Sequence, residues 1–375
     1  MIKLFDPHVT EEEVTAARDV ILSHNWASGA GANKVRVFEE VFKSYLGTEA
    51  VVALNSGTAA LHLALYVSGI GKSNVLLPSL SFVSTAHAVR FNNANPIFVD
   101  VDPNTLCIDK HDLENKIRKE KCSAILPVHF GGMPCDMNAL IKISKSYGLK
   151  IVDDSAHACG SSYDGKKIGT FGQMTCFSFH PIKNLAMPTG GAISINDQRA
   201  DGLKTRLNSL RWCGIDDRHD TSYDVTSITP NYYMNEISAA IGLVQLNKLD
   251  YLNARRRDIA KRYSNEIECE CRMPYSRNCV YHLYWLIVHN REDLIKYLND
   301  RGIEVGTHYR PIHTMSAYAS RDDRWKIPIT EMIGNKIVTI PIHPNLTDDE
   351  ITYIINSINS YLRLHDNRRQ RPIFP

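Results

Sequence analysis

Asp153-Asp154 closes an apolar run that begins at Leu149, and Ser178-Phe179-His180-Pro181-Ile182-Lys183 follows at about the distance of one crossover connection. An acid and a lysine spaced in this way are the two groups that a pyridoxal phosphate (PLP) enzyme needs at opposite ends of its cofactor ring. The lysine holds the aldehyde as a Schiff base. The carboxylate pairs with the ring nitrogen and keeps it protonated, so that the ring accepts carbanion electrons. Each residue also has a plainer reading. An isolated Asp-Asp serves more often as a helix cap or a surface carboxylate, and one lysine among many is usually solvated.

The surrounding residues sharpen the pair. Asn55-Ser56-Gly57-Thr58-Ala59-Ala60-Leu61 follows a strand pattern and opens a helix pattern, so free backbone amides point at whatever anion lies at that helix N-terminus. A cofactor phosphate fits there, as does ordinary capping. Lys183 follows an aromatic and conformationally stiff lead, Phe177 to Pro181, which suits a side chain held in a pocket. Desolvation beside a cationic ring gives a neutral amine that attacks and later carries a proton.

These residues need a scaffold, and the region from about 50 to 200 supplies one. Short β-branched runs alternate with helical patterns there, the signature of a parallel sheet with crossover helices. Val51–Leu54, Asn74–Leu77, Pro96–Val99, Ala124–Pro127 and Lys150–Val152 read as strands; Thr58–Val67, Ser84–Asn92, Asp109–Lys119 and Asp136–Tyr147 read as helices. Asp154 then stands at the carboxyl end of a parallel strand, where α/β sheets place their ligands. Ala192–Ile195 fits an antiparallel edge strand, although periodicity does not set its direction. Glu236–Arg262 reads as a long helix linking two units. His282–His289 as a strand, Glu292–Arg301 as a helix and Asp348–Leu364 as a terminal helix make an α+β second part. The expected fold class is α/β, with a large domain over 1–245 and a small α+β domain over 246–375.

At 375 residues the chain is long enough for two packed domains. Its 43 basic and 41 acidic side chains give a net charge of +2, which argues against a nucleic-acid or membrane partner attracted by bulk charge. The tail Arg368-Arg369-Gln370-Arg371 is a local exception and reads as a solvated terminus. Nine scattered cysteines suggest reduced thiols rather than a disulfide framework. Cys269 and Cys271 lack a second pair at zinc-ligand spacing, so no metal is expected. With neither a signal-peptide pattern at Met1 nor about eighteen consecutive apolar residues anywhere, the expected location is the cytoplasm.

The ordered motifs resemble one family, the DegT/DnrJ/EryC1/StrS sugar aminotransferases within the fold type I PLP enzymes, over nearly the whole chain. They are Phe38-Glu39-Glu40, Asn55 to Leu65, Pro78 to Ala88, Val128 to Met133, Asp153 to Ala158, Phe177 to Asn184, Asn231 to Gly242, Tyr281 to Tyr284, Arg301 to Ile303 and His308 to His313. The resemblance implies that Gly57, Thr58 and Ser178 hold the phosphate. It implies that Phe82, otherwise simple core, stacks on the ring. Asp154 becomes the pyridinium partner, with His157 near the ring hydroxyl and Lys183 as Schiff-base lysine and proton shuttle. Asn231 reaches the phosphate of a neighbouring subunit, which implies a homodimer with shared active sites. His308 and Tyr309 face the substrate, although such a pair before Pro311 is also common turn punctuation.

Two departures from the family pattern stand beside the expected pocket. Pro188-Thr189-Gly190-Gly191 replaces a Gly-Glu-Gly-Gly type segment, and Asn231-Tyr232-Tyr233-Met234 carries a tyrosine where the family usually has arginine. Some relatives replace the lysine with histidine and dehydrate instead; Lys183 favours amino transfer. The resemblance therefore implies transfer from an amino acid, L-glutamate, to a keto-sugar, nucleotide-linked, by two half-reactions. Two rival readings are a small phosphorylated ketone or cyclic ketose as acceptor, and a PLP-binding regulator without turnover. Acceptor identity would follow from the loops Trp26 to Gly31, Trp212 to Tyr223 and His308 to Tyr318.

Overall fold

The computed structural model describes residues 1–27, 33–219, 221–319 and 325–364. Gly31, Asp220 and the basic tail Arg368 to Arg371 lie outside the described residues.

Helices α1 (Glu11–Leu22) and α2 (Lys34–Leu46) come first. The sheet region then runs β1 (Ala50–Leu54), α3 (Gly57–Val67), β2 (Asn74–Pro78), α4 (Ser84–Phe91), β3 (Asn95–Val99), α5 (Lys110–Lys119), β4 (Cys122–Ile125), α6 (Met137–Tyr147) and β5 (Lys150–Asp154). A small hairpin, β6 (Ser162–Tyr163) and β7 (Lys166–Lys167), precedes β8 (Met174–Ser178) and β9 (Gly191–Ile195). α7 (Ala200–Leu210) and the hairpin β10 (Ile215–His219) and β11 (Ser222–Val225) lead to α8 (Glu236–Glu266), 31 residues long. The remainder is β12 (Tyr284–Ile287), α9 (Arg291–Asn299), α10 (Pro328–Lys336), β13 (Ile337–Ile340) and α11 (Asp348–Leu364).

Seven strands form one sheet in the order β1-β9-β8-β5-β4-β2-β3. The pairs from β3 through β8 are parallel, and β9 runs antiparallel to both its neighbours. Alternate residues serve opposite faces: Leu76, Ile97 and Val99 join one apolar cluster, whereas Val75, Leu77 and Phe98 join another. Strands buried on both faces read as continuous apolar runs, which is why these were visible in the sequence.

The Ala192–Ile195 expectation needs one correction. The strand is antiparallel, but it is not at an edge, because β1 pairs along its whole length from Ala50↔Ile195 to Leu54↔Gly191. All five residues of β9 are buried, as an interior strand requires.

The end of β1 is fixed by a buried ion pair. Arg211 Nη1 lies 2.5 Å from Glu39 Oε1, with side-chain exposures of 1% and 4%. Glu39 Oε1 also accepts the Ala53 N–H at 2.8 Å, and Arg211 Nη1 donates to the Ala53 carbonyl at 3.0 Å. The clamp sets the direction in which the chain leaves β1 for Asn55 to Thr58. Removing one partner strands a buried charge, so R211M is expected to cost about 3–5 kcal/mol of stability, read from denaturant unfolding. The double variant E39L/R211M should recover the part of that loss due to the stranded charge, but not the hydrogen bonds to Ala53.

Candidate active site

Asp154 ends β5, and its carbonyl accepts the His129 N–H at 3.2 Å. Its carboxylate is buried, accepting the Thr85 hydroxyl on Oδ2 at 2.8 Å and the Ala156 N–H on Oδ1 at 3.2 Å. Burial, the largest cause, raises its pKa. Its hydrogen-bond donors are neutral, so a cation brought against this carboxylate relieves the desolvation cost.

Lys183 sits in the loop between β8 and β9, whose ends are tied together. Phe179 N–H donates to the Gly190 carbonyl at 2.9 Å, and Met187 N–H donates to the Phe179 carbonyl at 2.8 Å. The next residue, Asn184, donates through Nδ2 to Asn253 Oδ1 at 2.8 Å and to the Val280 carbonyl at 2.9 Å. With its backbone held in this way the lysine is 9% exposed. Burial lowers its pKa to about 8, against the opposing pull of Asp154.

The third part is the start of α3. Ser56 caps it by accepting the Ala59 N–H on Oγ at 3.1 Å, and a helix start leaves backbone amides without intrahelical partners. A Cβ on Gly57 would stand 2.7 Å from Ser178 Cβ, and one on Gly191 would stand 2.3 Å from the Ser56 carbonyl carbon. Only glycine allows these segments to close around a small cradle. Thr58 Oγ1 pairs with Ser84 Oγ at 2.7 Å.

A cavity of about 360 Å³ joins these parts, lined by Gly57, Thr58, Phe82, Asp154, His157, Ser178, Lys183, His308 and Tyr309. Every expected site residue except Asn231 therefore meets in one place. Asn231 is exposed, and its carbonyl accepts the Asn55 Nδ2 at 3.4 Å. Phe82 is 54% exposed, its ring 6.1 Å from that of Tyr309. His157 Nδ1 accepts the Gly131 N–H at 3.3 Å, so the neutral ring carries its proton on Nε2 and donates it to Tyr309 Oη at 3.2 Å. His308 Nδ1 lies 2.7 Å from Thr339 Oγ1, and burial pushes its pKa down to about 4.

The structure adds two residues that the sequence did not single out, Thr85 and His282, and gives a bond to a third that it did. Thr85 holds the carboxylate. His282 Nε2 lies 3.2 Å from Lys183 Nζ. Thr189, at the first departure from the family pattern, donates its hydroxyl to the Asn55 carbonyl and lines the cavity with His180. Neither Thr85 nor His282 carries a local signature, since each acts through a partner distant in sequence.

The cradle, the buried carboxylate and the buried amine match a ligand with an anionic group, a cationic ring nitrogen and a carbonyl. PLP has all three, and the residues present fit it.

A sequence model of the DegT/DnrJ/EryC1/StrS aminotransferase family matches residues 7–359. The chain is 34% identical over 367 residues to GDP-perosamine synthase of Escherichia coli O157:H7, covering 96% of this chain and 98% of that one. Among solved structures, PseC of Helicobacter pylori, an aminotransferase involved in the biosynthesis of pseudoaminic acid, is similar with a TM-score of 0.89 at 27% identity. That match spans 97% of this chain and 99% of the other. Spr1654 of Streptococcus pneumoniae in its PLP form gives a TM-score of 0.89 at 28% identity, again over 97% and 99%. Sequence likeness along nearly the full length thus agrees with the cavity's own chemistry, and the chain belongs to the DegT/DnrJ/EryC1/StrS aminotransferase family of PLP-dependent, fold type I enzymes.

Proposed function

We propose that the protein moves an amino group from an amino acid, L-glutamate, to a keto-sugar carried on a nucleotide, within amino-sugar or surface-polysaccharide biosynthesis. The observation that carries this reading is the meeting of Lys183, Asp154 and the α3 N-terminus in one cavity. The acceptor class is supported by the likeness to GDP-perosamine synthase and to PseC.

PLP, when bound, supplies an aldehyde that takes up the amino group and a ring that accepts carbanion electrons. Gly57 and Thr58 at the helix start, with Ser178, hold the phosphate. Asp154 keeps the ring nitrogen protonated, and Thr85 orients that carboxylate. Phe82 covers the ring face and His157 stands near the ring hydroxyl. Lys183 Nζ removes the proton from the carbon bearing the donor's amino group and returns one to the acceptor's carbon in the second half-reaction. His308 and Tyr309 meet the substrate.

Asn231, exposed and absent from the lining of its own chain's cavity, serves a second copy of the chain, so the working unit is a homodimer. The division near residue 245 belongs to the same reading, supported by the separate sheet that β12 and β13 form. Among the described residues no helix is long and apolar enough to cross a membrane, in keeping with work in the cytoplasm.

The test is a panel of nucleotide-linked and free keto-sugars offered with L-glutamate, following 2-oxoglutarate release. Turnover with a nucleotide-linked keto-sugar is the expected result. Turnover confined to a phosphorylated ketone or a free ketose would replace the acceptor class, and no turnover with any of them would sink the transfer reading.

A further inference from the structure

His282 is absent from the cavity lining, yet its ring meets the amine at the cavity's base. Lys183 Nζ and His282 Nε2 are 3.2 Å apart and both side chains are buried. An ammonium has no lone pair, so with Lys183 charged the Nε2 accepts and the ring proton sits on Nδ1. The imidazole is held from two sides: the His157 ring lies 4.5 Å away between centroids, and Phe5 stacks on it at 5.7 Å with an interplanar angle of 19°. Phe5 comes from the N-terminal segment. That segment is tied down by the Ile2 N–H to the Gly302 carbonyl at 2.7 Å and the Leu4 N–H to Glu304 Oε2 at 3.0 Å.

We propose that His282 is a positioning residue for Lys183: its neutral imidazole takes one N–H of the amine and sets the direction in which Nζ points into the cavity. This rests on the role given to Lys183 above. The groups around the pair agree with it. Burial is the largest cause keeping His282 neutral, and the charge of Lys183, then His157, Arg256 and His308, act in the same direction. Lys183 itself is faced by Asp154 from β5, which favours its charged form. The remaining imidazoles near Lys183, those of His157, His180 and His308, are all shifted toward neutrality. A lysine tip has many rotamers, so a fixed acceptor matters most in the steps where the amine is free.

H282F keeps a ring between Phe5 and His157 but removes the acceptor, and H282Q restores one. The full-length chain stripped of PLP is mixed with PLP across a pH series. Capture, followed by visible absorbance, reports the neutral fraction of Lys183. The reloaded enzyme is then assayed for kcat and KM with the amino donor. Loss of an acceptor for the ammonium is expected to move the capture midpoint of H282F down by about one pH unit. Its kcat should fall about tenfold or more with the donor KM within about threefold, and H282Q should lie nearer the wild type on both measures. An H282F protein with the wild-type midpoint and kcat overturns the proposal, as does an H282Q protein impaired as much as H282F. Should H282F fail to fold, H282L serves in its place with the same outcomes. A wild-type chain that captures no PLP would overturn the functional reading itself; a normal wild type beside an unaltered H282F overturns only the role of His282.

Discussion

K183A is expected to lose at least about 10⁴-fold in kcat, because one side chain acts both as the nucleophile that captures the carbonyl and as the general base and acid of each half-reaction. The geometry leaves no obvious substitute. His282 and His157 are held neutral chiefly by burial, a cause that survives the loss of Lys183, which makes them weak bases. The fold should tolerate the change, since removing a buried amine also removes its desolvation cost. Cofactor is expected to remain bound through the α3 N-terminus, but borohydride, which should fix it covalently to the wild-type chain, should leave K183A unlabelled. In the wild type the lowered pKa of about 8 sets the sign of the pH dependence. Above that value the neutral amine predominates, and the proton-transfer step slows as pH falls through it. Measuring 2-oxoglutarate release and borohydride labelling together checks both roles. Activity of K183A within about tenfold of wild type would mean that another base moves the proton.

How much of this was legible in the sequence depended on distance along the chain. The parallel strands were visible because both their faces are buried, so Val75 to Leu77 and Ile97 to Val99 carry apolar residues at every position. Asp154 at a strand end followed directly from that pattern. β8, Met174 to Ser178, was not read as a strand, because its mixed composition is neither strongly β-branched nor alternating. The interior position of β9 was hidden as well, since β1 reaches it from far upstream in the chain. At the site, whatever depended on a local motif was found: the glycine cradle and the acid and lysine pair. Thr85 and His282 were not, because each matters only through a residue that folding brings to it, and Thr189 was read as a departure from the family pattern without its bond to Asn55. The clamp of Glu39 and Arg211 belongs to the same class.

D154N should separate binding from chemistry. Asparagine keeps nearly the same shape: its amide oxygen, in the place of Oδ1, can still accept the Ala156 N–H, and its NH2, in the place of Oδ2, can donate to the Thr85 hydroxyl oxygen. What disappears is the negative charge that favours a protonated ring nitrogen. In a site where Asp154 is buried, such a charge acts through little screening. A fall in kcat of about 10²–10³-fold is expected, the usual cost of removing one preorganised electrostatic partner from a transition state. PLP affinity should fall much less, because the α3 N-terminus and Ser178 still hold the phosphate. The absorbance of the bound cofactor should change, since its ring nitrogen is no longer held in the protonated form. Burial raises the pKa of Asp154, so an arriving cation gains more from this carboxylate than it would from a solvated one. The charge therefore matters to the reaction even though it costs the empty protein stability, and D154N is expected to be no less stable than wild type in the absence of PLP. A D154N enzyme that lost PLP altogether would make the residue an anchor. One that kept full kcat would remove the ring nitrogen from the mechanism.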